Sequence, residues 1–128
     1  LELLQRLQKE MQMAVLMITH DLGVIAEVAD RVAVMYAGQV VEYASTRDLF
    51  NRPKHPYTRG LMQSVPRLDE HRDRLDIIAG IVPDAREFPD GCRFAPRCPM
   101  AEDRCRSASV ELRELSEQHM GRCLKMGS

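Results

Sequence analysis

The sequence predicts an α/β fold that passes, near its middle, into a small irregular extension holding every cysteine. Three observations predict it. Apolar segments of helical and of strand period alternate through roughly the first 50 residues. All seven prolines of the 128-residue chain lie at or after Pro53. Cys92, Cys98, Cys105 and Cys123 lie later still, spaced C-x5-C-x6-C-x17-C through a stretch rich in Pro, Gly and Arg. The composition change puts a boundary at about residues 45–55, and no internal repeat is apparent.

The elements follow in order. Leu1, Leu3, Leu4, Leu7 and Met11 make one apolar face at helical spacing. Residues 14–19 are a continuous apolar run, short for a helix and partly β-branched, which predicts a strand buried on both faces of a parallel sheet. Asp21 caps a following helix whose apolar side is Leu22, Ile25, Ala26 and Val28. Residues 31–43 form a hairpin turning at Ala37-Gly38. Thr46 caps a short helix through Phe50. His55-Pro56-Tyr57 opens another helix to about Ser64, with proline in the first turn, where its missing N–H costs little. Residues 75–79 are expected as a strand, 80–99 as loop broken by Gly and Pro, and 101–105 as one helical turn. Residues 110–126 fit no single pattern. The eight methionines are dispersed and read as core filler.

Bulk composition excludes several functions. A net charge of −1 argues against an electrostatic nucleic-acid binder. With 5% aromatic residues and no Trp, base-stacking platforms are not expected. No apolar run approaches the roughly 20 residues that span a bilayer, and no secretory signal is seen.

The chemistry-bearing residues are few. The cysteine stretch has too little aliphatic side chain to hold itself together by burial, and four thiolates around a metal centre would organise it. Paired disulfides are the other reading, expected in a secreted protein. Zinc takes four Cys tetrahedrally, or three Cys and His119. His119, four residues before Cys123, is equally open to a ligand, a supporting or an inert role. His20 follows the apolar run 14–19, and in open α/β sheets ligands sit beyond the carboxyl ends of strands. A histidine there can reach a phosphate oxygen or an attacking water, or simply precede the next helix. His55 reads as a helix-opening residue and His71 as part of a solvated charge run. The five arginines from Arg86 to Arg106 are balanced by four acids.

Leu16-Met17-Ile18-Thr19-His20-Asp21-Leu22-Gly23-Val24-Ile25 resembles the switch-histidine region of ABC-transporter ATPases. Asp30-Arg31-Val32-Ala33-Val34-Met35-Tyr36-Ala37-Gly38-Gln39-Val40-Val41-Glu42 resembles the strand pair after it. His55-Pro56-Tyr57-Thr58, Pro83 and Pro89-Asp90-Gly91-Cys92-Arg93-Phe94-Ala95-Pro96-Arg97-Cys98-Pro99 resemble the carboxy-terminal extension of oligopeptide and dipeptide importers. The resemblance covers essentially the whole chain. It implies an ABC-type nucleotide-binding domain ending over residues 1–45 and a peptide-importer extension over 46–128. It further implies ATP and Mg2+ as cofactors of the full-length protein, with His20 at the γ-phosphate helping to position the attacking water. A second ABC ATPase subunit and transmembrane permease subunits would be its partners, at the cytoplasmic face of the inner membrane. Cys92, Cys98, Cys105 and Cys123 resemble the ligands of a [4Fe–4S] cluster found in some members. Arg93, Arg97, Arg104 and Arg106 are then expected to offset its charge.

Departures from the family are equally plain. The 128 residues contain no G-x4-G-K-[ST] phosphate loop, no Ser-Gly-Gly signature, no Mg-binding Asp of the family's pattern and no water-polarising Glu. They would precede Leu1, so the chain is expected to be a carboxy-terminal fragment without ATPase activity of its own. The alternative from another class is a free-standing iron–sulfur or zinc interaction module.

Overall fold

The computed structural model describes residues 1–64 and 78–126. It is a mixture of short helices and one antiparallel sheet. The helices are α1 (Glu2–Met11), α2 (Leu22–Val28), α3 (Thr46–Asn51), α4 (Pro56–Gln63) and α5 (Asp103–Ser107); the strands are β1 (Arg31–Tyr36), β2 (Gln39–Ser45), β3 (Arg113–Ser116) and β4 (His119–Gly121). The sheet runs in the order β1-β2-β4-β3 with every pairing antiparallel.

The hairpin β1–β2 forms as its sequence predicts, extending to Ser45. Ala37 and Gly38 both adopt positive φ, 48° and 78°. That pairing of left-handed residues matches the twist of the flanking strands in a two-residue hairpin loop. Along β1, Val32, Val34 and Tyr36 are buried while Arg31, Ala33 and Met35 face outward. With Val41, Ala44, Leu49 and Phe94 these inward residues make the core.

Caps set the helix starts. Asp21 accepts hydrogen bonds from the Gly23 and Val24 N–H groups, as expected. One cap is corrected: Ser45, not Thr46, caps α3, its hydroxyl accepting from the Asp48 N–H. Thr46 is the first helical residue, and its hydroxyl instead donates to the Ala29 carbonyl. His55 caps α4 with Nδ1, accepting the Tyr57 N–H at 3.1 Å.

Three further expectations change. The parallel strand over 14–19 is not formed; Leu16 and Ile18 are 91% and 93% exposed. A central parallel strand needs a neighbour on each side, and no described residue pairs with this run. The methionines are not mainly core: Met11, Met13, Met17, Met35 and Met100 are exposed, whereas Met126 is buried. The ambiguous 110–126 stretch holds β3 and β4, and β4 pairs Gly121 and Met120 with Glu42 and Tyr43. Strands of three and four residues carry almost no periodic signal, and here long-range pairing decides them. Residues 75–77 of the strand expected over 75–79, and His71, lie outside the described residues; Ile78 and Ala79 are not in a strand. Among the described residues no helix is long and apolar enough to cross a membrane.

Candidate functional site

Phe94 carries the irregular extension into the core. It is 2% exposed and meets Tyr36 edge-on at 5.1 Å, Tyr57 at 5.4 Å and His55 at 5.9 Å between ring centroids. Aromatic contacts of this kind add to the stabilisation from area burial. The cysteine stretch thus has an anchor, in one buried aromatic placed between Cys92 and Cys98.

Backbone hydrogen bonds then draw the cysteines together. Gly91 N–H donates to the Arg106 carbonyl at 2.9 Å and Cys92 N–H to the Cys105 carbonyl at 2.7 Å. The contact requires glycine: a Cβ on residue 91 would lie 2.8 Å from the Ala108 carbonyl oxygen and nearer still to that of Cys105. Ala95 N–H returns to the Cys92 carbonyl and Ala101 N–H to that of Cys98, so Cys92 and Cys98 each open a tight turn. Cys123 is held from the other side. Its neighbour Arg122 donates through its backbone N–H to the Val41 carbonyl, through Nε to that of Val40 and through Nη1 to that of Val110, at 2.8–2.9 Å.

All four cysteines line one open pocket of about 350 Å³, solvent included, with His55, Phe94, Met100 and Lys125 in its wall. The four are free thiols. Among the described residues no three His, Cys, Asp or Glu side chains converge closely enough to hold a metal ion. Burial pushes the Cys92 thiol up, and the nearby Cys123 and Cys98 sulfurs add to this; the Phe94 and Ala95 N–H groups pull it back. Burial likewise raises Cys98, with the Met100 N–H acting against it. The Lys125 N–H reaches the Cys123 sulfur at 3.4 Å. Burial in this apolar wall favours the neutral thiols, and the backbone N–H groups at the sulfurs act against it.

None of Arg93, Arg97, Arg104 and Arg106 lines this pocket. Arg93 donates to the Ala37 carbonyl, Arg97 to the carbonyls of Ile78 and Ala79, and Arg104 pairs with Glu102. Arg93 and Arg97 are struts between loops. Lys125 lines the pocket and pairs with Glu102. A lysine two residues past the last cysteine was readable from spacing, but nothing local distinguishes it from the surface lysines.

Behind the pocket lies a buried polar network that the sequence reading missed. The Glu42 carboxylate is fully buried. Its Oε1 accepts from the Lys54 N–H at 2.8 Å and from His119 Nε2 at 2.7 Å, and its Oε2 accepts from the His55 N–H at 2.9 Å. His119, left open between three roles, is therefore spent on Glu42 and is absent from the pocket wall. One acid on β2 ties β4 to the entrance of α4. The available signal was an acid at the end of the aliphatic run Val40-Val41 in a hairpin strand. Burial holds the His55 ring down at a pKa of about 4, against the pull of Glu42, so the ring is neutral.

His20 stands apart. It is exposed at a bend just ahead of α2 and is not part of the pocket. Its position is set locally: Thr19 Oγ1 accepts the Asp21 N–H and Asp21 caps the helix.

The residues that build this arrangement also place the chain. Residues 41–105 match the family described as oligopeptide/dipeptide transporter, C-terminal region. That span runs from Val41 and Glu42 through His55 to Cys105, and the chain belongs to this family. It is 55% identical over 105 residues, 82% of its length, to the oligopeptide transport ATP-binding protein AppD of Bacillus subtilis, covering 32% of that protein. It is 44% identical over 118 residues, 92% of its length, to the dipeptide transport ATP-binding protein DppD of Haemophilus influenzae, covering 36%. To DppD of Escherichia coli it is 42% identical over 123 residues, 96% of its length, covering 38%. The chain spans less than two fifths of the length of these curated relatives. Its likeness to ATP-binding transport proteins along nearly all of its length favours that class over a free-standing metal module.

Proposed function

We propose that this chain is the carboxy-terminal part of the ATP-binding subunit of a peptide-type ABC importer, coupling ATP hydrolysis to uptake of oligopeptides or dipeptides. The observation that carries the reading is the 42% identity, over 96% of the chain, with a dipeptide transport ATP-binding protein. In the full-length protein ATP and Mg2+ are the cofactors. A second ATPase subunit and transmembrane permeases are the partners, at the cytoplasmic face of the inner membrane. The exposed Leu16 and Ile18 suit a strand completed by sheet neighbours that a longer chain supplies.

His20 is proposed as the residue that contacts the γ-phosphate. Its exposure at the start of a capped helix, beyond an apolar run, supports this reading. His20→Ala in the full-length protein should leave Mg-ATP binding nearly unchanged and lower hydrolysis about 10²-fold, the scale for losing one positioned transition-state donor. Hydrolysis at the parent rate would assign His20 to the helix start alone.

Cys92, Cys98, Cys105 and Cys123 are proposed to hold one [4Fe–4S] cluster, with zinc as the second choice. Four sulfurs in one apolar wall, three of them met by backbone N–H groups, support a thiolate centre. Zinc at about 2.3 Å from each ligand needs all four sulfurs roughly 3.8 Å apart, and the described side chains are not gathered so tightly. When bound, the cluster supplies a covalent cross-link among four distant chain positions and a redox-active centre. Full-length protein prepared without oxygen should carry about four iron and four sulfide per chain; zinc at about one per chain with no iron would replace this assignment.

A further inference from the structure

The helix that follows His20 is too weak to hold itself. α2 has seven residues, none of them buried, and Gly23 lies in its first turn. So short a helix is not sustained by propensity, and glycine is among the poorest helix formers. What fixes α2 must therefore act at its two ends.

At the start, hydrogen bonds close on both sides of His20. Thr19 Oγ1 accepts the Asp21 N–H at 3.0 Å, bending the chain around His20. Asp21 Oδ1 then accepts the Gly23 N–H at 2.9 Å and the Val24 N–H at 3.1 Å. The fit is close: a Cβ on residue 23 would lie 3.2 Å from that oxygen. At the far end, the Ala29 N–H closes the last turn on the Ile25 carbonyl at 3.0 Å. Thr46 holds the next two carbonyls. Its hydroxyl donates to that of Ala29, and its backbone N–H to that of Asp30 at 3.0 Å. Thr46 belongs to α3, whose Leu49 is fully buried, and Ile25 and Ala29 pack against the same core.

We infer that Asp21 and Thr46 are positioning residues for His20. Asp21 fixes the chain where it leaves His20, and Thr46 ties the far end of α2 to the core. The inference rests on the reading of His20 given above. Both residues act through the backbone, and neither needs to touch nucleotide. At 1.5 Å per residue α2 is about 10 Å long, so a tilt at its far end is carried to His20.

The test uses the full-length protein and begins with His20→Ala. Hydrolysis at the parent rate in that variant overturns the reading of His20 and this inference with it. Where His20→Ala slows hydrolysis, Asp21→Ala and Thr46→Val should each lower kcat about tenfold, less than the ~10²-fold that a 1 Å misplacement can cost. KM for Mg-ATP should stay within about twofold, since binding contacts are kept. Asp21→Asn keeps a cap acceptor and Thr46→Ser keeps the hydroxyl, so both should recover most of the rate. In the His20→Ala background neither Asp21→Ala nor Thr46→Val should lower kcat by more than about a further twofold, because residues that act through one group do not add. Parent kcat in Asp21→Ala or in Thr46→Val overturns the assignment of that residue. Undiminished losses in the His20→Ala background overturn both. Amide exchange without nucleotide separates positioning from general destabilisation. It should quicken along α2 in Asp21→Ala and Thr46→Val while β1 and β2 stay protected. Loss of protection in β1 and β2 as well would assign the two residues to the fold at large and overturn the inference.

Discussion

Glu42 shows how one residue binds distant parts of this chain. Its carboxylate spans β2, the turn into α4 and β4, accepting two backbone N–H groups and an imidazole N–H. No water substitutes when it is lost, because the site is closed. Glu42→Ala should therefore cost about 3 kcal/mol or more, at the upper end for orphaning buried donors. Urea unfolding of the full-length protein should show a lower midpoint. His119→Ala combined with it should cost less than the sum of the single changes, since both remove the same bond.

The cap of α3 carries the argument at the scale of an element. Six residues cannot sustain a helix by propensity, so α3 depends on its ends and on Leu49, which is fully buried. Ser45 accepts the Asp48 N–H, and the Asp48 carboxylate accepts from Ser45 Oγ and pairs with Arg52 at 2.6 Å. Ser45→Ala should cost about 1 kcal/mol. The Arg52 and Ser45 contacts hold the Asp48 carboxyl below its ordinary value. Its contribution is thus complete above the ordinary carboxylate range and fades as pH falls through the lowered value. Acid unfolding of Asp48→Asn should be correspondingly less steep over that range, and comparison of the two titrations checks it.

At the scale of the whole molecule, the extension and the α/β part share one core. Phe94 packs on Tyr36 and Tyr57, Arg122 bonds Val40 and Val41, and β4 continues the hairpin's sheet. Under the cluster proposal, ligation at the cysteines is expected to be felt in the sheet, because metal binding and local folding are linked. If the proposed cluster is present in the parent, Cys105→Ser should abolish stoichiometric iron and make the region around 83–126 the first to be cut by protease. Hydrogen exchange should also quicken at β4. Unchanged protection of β4 would show that the sheet holds without the centre.

The sequence alone determined the hairpin, the cap at Asp21 and the helix opened by His55-Pro56. Each of these rests on local chemistry: strand alternation, a left-handed Ala-Gly turn, a side chain that reaches a backbone N–H two or three residues on. Tertiary structure decided the rest, and for one reason. The run 14–19 has strand composition but no sheet neighbour among the described residues, while Arg113–Ser116 and His119–Gly121 have little composition but do have neighbours. Arg93 and Arg97, read as counter-charges by their positions among the cysteines, are turned instead to backbone carbonyls. Glu42 and His119, 77 positions apart, meet at 2.7 Å only because β2 and β4 pair. Contacts across such separations leave no periodicity to read, and it is those contacts that bring His55 and the four sulfurs to a common pocket.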